Sequence, residues 1–227
     1  DNSLRAIDAD TGEQVLYQGA HDDWVRDTVF SVDGKYLVSV GRDMTTKLTE
    51  VATERFVDNV TSITPGALKG GITSVARHPE RDEIVIGGSD GVPKVYRMIR
   101  QTNRVIGDDA NLIRRLPAMN GRIFAVAVNP AGTRIAAGSS LDGNGQVNVY
   151  SYEFDTSLPE NIKQLLGKRV AEWNADQRAA VEKYWTDGVR LVAHLDVPEC
   201  AIYVVAFQPD GKTLAAAGAD GQIRMID

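Results

Sequence analysis

Short strand-like runs of apolar residues, with a period of two and bounded by polar turns, recur along most of this chain, and they come in packets. Four segments, residues 25–43, 72–90, 123–142 and 202–220, align with one another. Each reads as a short strand, a turn rich in Pro, Asp and Gly, a second strand of small and branched apolar residues, and a turn ending in Asp. A third strand follows at 47–51, 94–98, 146–152 and 222–226, and a fourth at positions such as 56–60 and 189–195. Four short strands joined by tight turns predict a small antiparallel sheet for each unit. From the aligned turn residues Val32, Pro79, Pro130 and Pro209 to the aligned aspartates Asp43, Asp90, Asp142 and Asp220 the spacing is 11, 11, 12 and 11. Chance does not hold a register that well.

The period changes once. Between the third and fourth strands of the third unit, residues 158–188 switch to a spacing of about 3.6, the helical period. Ile162, Leu165, Leu166 and Val170 share one predicted helical face, and Val181, Tyr184 and Trp185 share another. Asn174, with Gln177 three residues on, has the form of a capping box, and Gly188 is a helix stop. The segment 156–188 is therefore expected to be a helical hairpin inserted into a β-unit. Successive corner aspartates lie 47, 52 and 78 residues apart. Without about 34 inserted residues, the last interval falls to about 44, within the ~40–45 typical of WD40 blades.

At this point the chain resembles the WD40-repeat β-propeller family over nearly its whole length, the insertion excepted. The first unit carries the fullest match: Gly19, Ala20 and His21 before the first strand, Ser39 on the second and Asp43 in the turn after it. The resemblance implies that His21, Ser39 and Asp43 form a buried hydrogen-bond network, with Leu48 or its neighbour in place of the family's tryptophan. No unit ends in Trp-Asp and the later units lack the histidine, so the network is expected in the first blade alone. The fold class is all-β, a propeller of four-stranded antiparallel blades with an α-helical hairpin insertion. Strands at 3–8 and 14–18 read as the end of an earlier blade, and the last unit stops after its third strand. The expected total is seventeen strands, about four and a quarter blades. Residues 1–227 are thus expected to be an excerpt of a longer ring; a closed five-bladed ring with one incomplete blade is the alternative.

Composition narrows the function. Apolar residues make up 43% and charged residues 25% of the 227, ordinary values for a globular chain. The formal net charge is −6, which argues against a general electrostatic grip on nucleic acid or anionic lipid. No apolar run approaches the ~20 residues of a membrane helix. A single cysteine, Cys200, excludes an internal disulfide, a CxxC pair and a CxxCH haem site. The glycines fall at blade corners, where turns need them.

Catalytic chemistry finds little to stand on. His21, His78 and His194 lie far apart in sequence, and only His21 has a motif role. Residues 142–145 open like a calcium loop, but Glu153, the twelfth position, lies beyond a strand, so a tight hairpin turn explains them better. The turn 107–109 is another. Residues 66–71 contain neither Gly-x-Gly-x-x-Gly nor Gly-Lys-Ser/Thr, and no nucleophile elbow or His-Glu-x-x-His occurs. No catalytic residue, metal ligand or cofactor is expected.

Binding is the stronger expectation. In a propeller, the loops leading into each first strand and those joining the second to the third emerge on one face. Trp24 and Arg42, Arg122 and Leu141, and Tyr203 fall there, and aromatic and Arg residues are common interface anchors. Trp173, Tyr184 and Trp185 on the insertion form a second candidate docking surface. The expected role is a non-catalytic protein-interaction scaffold inside a larger polypeptide or complex, with partner proteins or neighbouring domains as ligands. A second resemblance, through 41–52, 89–96 and 147–155, is to the WD40 portions of large bacterial proteins that also carry c-type cytochrome modules. It implies an alternative role as an accessory domain of a redox protein, and an extracytoplasmic, periplasmic setting.

Overall fold

A computed structural model describes residues 2–63 and 70–227. Residues 66–69 of the glycine-bearing stretch 66–71 therefore lie outside the described residues. Seventeen strands are present among those described, with two helices. β1 (Leu4–Ile7) and β2 (Gln14–Gln18) form a two-stranded sheet. The first four-stranded blade is β3 (Val25–Phe30), β4 (Tyr36–Gly41), β5 (Thr46–Glu50) and β6 (Arg55–Asn59). The second is β7 (Ile72–Arg77), β8 (Glu83–Gly88), β9 (Lys94–Arg97) and β10 (Leu112–Arg115). The third is β11 (Arg122–Val128), β12 (Arg134–Leu141), β13 (Asn144–Ser151) and β14 (Leu191–Val197). β15 (Ile202–Phe207), β16 (Leu214–Gly218) and β17 (Ile223–Ile226) make a final three-stranded sheet. Within every sheet neighbouring strands are antiparallel and consecutive in sequence, as blades of a propeller require.

The inner strands of the second and third blades form where they do because they are buried on both faces. Along β8, Ile84 and Ile86 pack toward the first blade with Val38, Val40 and Leu48, whereas Val85 between them packs toward the third with Ile123, Val126 and Ile135. Alternate residues of one strand thus belong to two different cores, the period-two rule applied to a two-sided sheet. β12 repeats the pattern, with Ile135 and Ala137 facing the second blade and Ala136 facing the fourth unit. The first strands β3, β7, β11 and β15 sit side by side in that order at the inner edges of their sheets.

Between β13 and β14 lie α1 (Glu160–Leu166), one 3-10 turn (Val170–Glu172) and α2 (Ala175–Thr186). Asn174 caps α2: its side chain accepts the Gln177 amide N–H at 2.8 Å, and Gln177 accepts the Asn174 N–H in return at 3.0 Å. Gly188 follows the helix with φ of 67°. Ile162, Leu166, Trp173, Val181 and Tyr184 bury against one another and against Ala110. Val170 departs from the helical face expected of it, because the chain has left α1 before reaching it; it lies in the 3-10 turn and is exposed.

Candidate partner-binding face

The upper corner of the first blade is tied together by side chains. His21 precedes β3, Ser39 sits on β4 and Asp43 in the turn between β4 and β5. Asp43 can only accept, so His21 donates from Nδ1 to it at 2.9 Å, while Nε2 lies 2.8 Å from the Ser39 hydroxyl. Asp43 also accepts the Asp22 N–H at 3.0 Å and the Thr45 N–H and hydroxyl at 3.1 and 2.9 Å. Burial alone would raise the Asp43 carboxyl, but these hydrogen bonds, that of His21 first, outweigh it and hold the group well below the ordinary carboxylate range. Gly41 is needed here, since a Cβ would lie 2.7 Å from His21 Nδ1. Leu48 does not join this network; it packs between the first two blades, and its neighbour Lys47 pairs with Ser39 in the strand register.

The network fixes the loop before β3 against the β4–β5 turn, and the Arg42 N–H donates to the Trp24 carbonyl at 2.9 Å. Two side chains are thereby set at the mouth of a cleft of about 430 Å³ between the first and second blades, lined also by Arg26, Met44, Gly71, Ile72, Ser89 and Arg122. Trp24 is 55% exposed. The Arg42 guanidinium lies over its ring at 5.7 Å from the centroid and 3.5 Å from Asp23. Arg122 lies over Phe124 at 6.0 Å, and Phe124 meets Tyr203 edge to face at 5.2 Å. The structure thus brings Trp24, Arg42 and Arg122 into one cleft, with exposed Tyr203 linked to it through Phe124. Leu141 is exposed but lines a separate cleft of about 320 Å³ with Asn120, Gln146 and Asp196. Arg26 and Met44 are among the lining residues that sequence reasoning passed over. Arg26 falls where the β3–β4 register shifts, between Val25 and Asp27, so strand periodicity did not point to it.

On the insertion, the aromatic residues are taken up by packing. Trp173 is buried and donates from Nε1 to the Leu165 carbonyl at 3.0 Å. Tyr184 is buried and accepts a hydrogen bond from Arg97 at 2.6 Å. Trp185 is half-buried beneath the Arg115 guanidinium, 5.1 Å from its ring centroid. These side chains hold the hairpin to the second blade and present no aromatic patch to solvent.

The histidines are kept apart. His78 is buried, its Nε2 3.2 Å from the Gly132 carbonyl and its Nδ1 accepting from Glu80 and Arg81; burial, then the nearby Arg81 charge, holds its pKa down. His194 lies on β14 beside Asn148. Residues 142–145 form the hairpin between β12 and β13, with Asp142 and Gly143 at positive φ, and Glu153 is ion-paired with Arg134.

With this geometry in view, the likenesses to known proteins fall into place. The model of the WD domain, G-beta repeat, matches residues 12–49 and 189–227. The first stretch runs from β2 through β5 and the second covers β14 through β17, so each gives one outer strand to one blade and three strands to the next. Eukaryotic translation initiation factor 3 subunit I of Mycosarcoma maydis is 28% identical over 61% of this chain and 39% of its own length. The subunits from Aspergillus oryzae and Coccidioides immitis are 26% and 25% identical over 67% of this chain and 45% and 44% of theirs. The chain therefore spans about two fifths of the length of the curated relatives it matches. These relatives overturn the expectation of an extracytoplasmic, periplasmic location, since they are eukaryotic translation initiation factor subunits. They give the bacterial cytochrome context no support.

Proposed function

Since the chain carries WD40 repeats at 12–49 and 189–227, we infer that it works as a non-catalytic interaction scaffold, receiving a partner protein or another part of its own polypeptide in the cleft between the first two blades. The observation that carries this reading is the convergence there of exposed Trp24 with Arg42 and Arg122. Large aromatic and guanidinium groups give up most on burial against a partner. The relatives named above are subunits of a larger factor, which suits a role in assembly. The reading calls on no cofactor and assigns no acid, base or nucleophile.

The test is capture of partners by the intact protein and by Trp24→Ala, Arg42→Ala and Arg122→Ala variants. Each substitution is expected to weaken capture by about 1–2 kcal/mol, with Trp24→Ala the most severe. Unchanged capture by all three variants overturns the assignment of this face.

A further inference from the structure

We propose that the cleft between the first and second blades takes a short acidic polypeptide segment, its Asp or Glu carboxylates held by Arg26, Arg42 and Arg122 and an apolar side chain laid on Trp24. The proposal rests on the cleft being the partner-binding face and adds the chemistry of the partner.

Charge is the first argument. The chain is acidic overall, with a formal net charge of −6, and many of its cations are already neutralised. Arg100 sits between Asp58 and Asp108 at 2.8 and 2.9 Å, Arg81 meets Glu83 at 3.0 Å, and Lys94 meets Asp90. The cleft gathers cations that are not so neutralised. Among the described residues, neither Arg26 nor Arg122 has a carboxylate within ion-pair distance, and Arg42 has only the loose contact with Asp23, both side chains being exposed. The nearby acids are spent elsewhere. Asp43 is held by His21, Asp90 by Lys94, and Asp27, next to Arg26, accepts from the Val75 N–H at 2.9 Å and the Ser74 hydroxyl at 3.2 Å. Three guanidinium groups therefore face one cleft with almost nothing to balance them.

Shape is the second. Gly71 lies close enough to Arg42 that a Cβ would stand 3.0 Å from its Cα, so no side chain at that position fills the cleft. Arg42 is also partly ordered before any ligand arrives, because it lies over Trp24; less side-chain freedom is lost on forming a charge-assisted hydrogen bond. A short segment is favoured over nucleic acid by the same charge count. Binding a long polyanion draws on many phosphate contacts, and beyond the cleft such a strand would run over an acidic molecule.

Fluorescence anisotropy with the full chain tests the proposal, using a short labelled peptide of alternating Glu and Leu. Its all-Gln counterpart, a phosphoserine version and a short uridine RNA serve as the other arms. The Glu peptide is expected to bind, to weaken as salt is raised, and to bind roughly tenfold more weakly to Arg26→Gln and to Arg122→Gln. Both arginines are exposed, so the melting temperatures of these variants should match that of the parent. Equal binding of the Gln peptide, insensitivity to both substitutions, or tighter binding of the phosphopeptide or RNA than of the Glu peptide overturns it. If partner capture is lost in Trp24→Ala but the Glu peptide does not bind, the acidic-segment proposal falls and the partner-binding face stands. If capture is unaffected as well, both fall.

Discussion

In the first blade the corner aspartate, Asp43, faces a buried histidine; in the second its counterpart, Asp90, faces Lys94, and in the last unit Asp220 faces Arg224. The backbone is the same in all three. Each aspartate accepts the N–H two residues on, Thr45, Val92 and Gln222, at 3.1 Å. The repeated aspartate is thus a turn residue first, and its remaining valence is met by whatever the local sequence supplies. A cation stands four residues later in each case: Lys47, Lys94 and Arg224 occupy equivalent places, opposite Ser39, Ile86 and Ala216 in the strand register. Where His21 has already claimed the aspartate, Lys47 turns away and donates to the Ala20 carbonyl. In the third blade Gln146 replaces the cation and bonds to Asp196 at 2.9 Å, leaving the Asp142 turn to be made by positive φ. One corner geometry tolerates several polar solutions, and the histidine network of the first blade is only one of them.

The comparison breaks most sharply at His21. Replacing it with alanine leaves the fully buried Ser39 hydroxyl without its partner and takes the charge-assisted donor from the nearly buried Asp43 carboxylate, which keeps only its bonds from Asp22 and Thr45. His21→Ala should therefore cost about 3 kcal/mol in urea denaturation. A loss of under about 1 kcal/mol would mean that Lys47 swings in to rebuild the ion-pair corner of the other blades. Lys94→Met is the matching test in the second blade. The two side chains are 9% and 16% exposed, so removing the cation leaves a poorly solvated carboxylate and should cost about 2 kcal/mol. The double variant Asp90→Asn, Lys94→Met should recover part of that loss, because no uncompensated charge remains. If the double variant is no better than the single, the pair is not coupled and the equivalence of the two corners fails.

This column of cations shows what sequence reading could and could not reach. The strands were legible because short apolar or alternating runs are bounded by recurrent turn residues: 14–18 was placed to the residue, and the third strands fell within two residues of their observed ends. The first corner was legible because His21, Ser39 and Asp43 are distinctive residue types in a recurrent spacing. The Asp-to-cation pairs were not, since four residues across a turn and into a strand match neither the helical nor the strand period. The inward turn of Trp173 and Tyr184 was hidden for a related reason. A helical pattern identifies an apolar face, but only the position of Arg97 and the second blade decides that this face is covered. The edge strand β10, Leu112–Arg115, was not singled out because two of its four residues are arginines.

The first corner should also answer to pH in a way that can be signed. The Asp43 carboxyl is held below its ordinary value of 3.8, so its contribution is fully present above that value and is lost as pH falls through the folded-state pKa. Asp43→Asn, which keeps an acceptor but gives up the charge-assisted bond to His21, should cost about 1.5 kcal/mol at neutral pH. The gap between parent and variant should stay constant from about pH 7 to 5 and close below about pH 4. Urea midpoints across that range check this. A gap that opens on acidification would mean that the carboxylate is not the stabilising species.

The smallest expected effect moves the first blade toward its neighbours. The residue after the corner aspartate has positive φ in this blade and in the three other units, 66° at Met44, 71° at Gly91, 82° at Gly143 and 74° at Gly221, but only the first blade places a side chain there. Holding a residue with a Cβ in that region costs about 1 kcal/mol, while glycine adds roughly 0.5–1 kcal/mol of unfolded-state freedom. Met44→Gly should therefore stabilise the protein by at most about 0.5 kcal/mol. Because Met44 lines the cleft between the first two blades, a measured loss of stability has a specific meaning: the methionine side chain is packed against the cleft wall strongly enough to outweigh its backbone strain. The exposed Met44 would then be part of how Trp24 and Arg42 are held, and the first corner would differ from the others in packing as well as in polar chemistry.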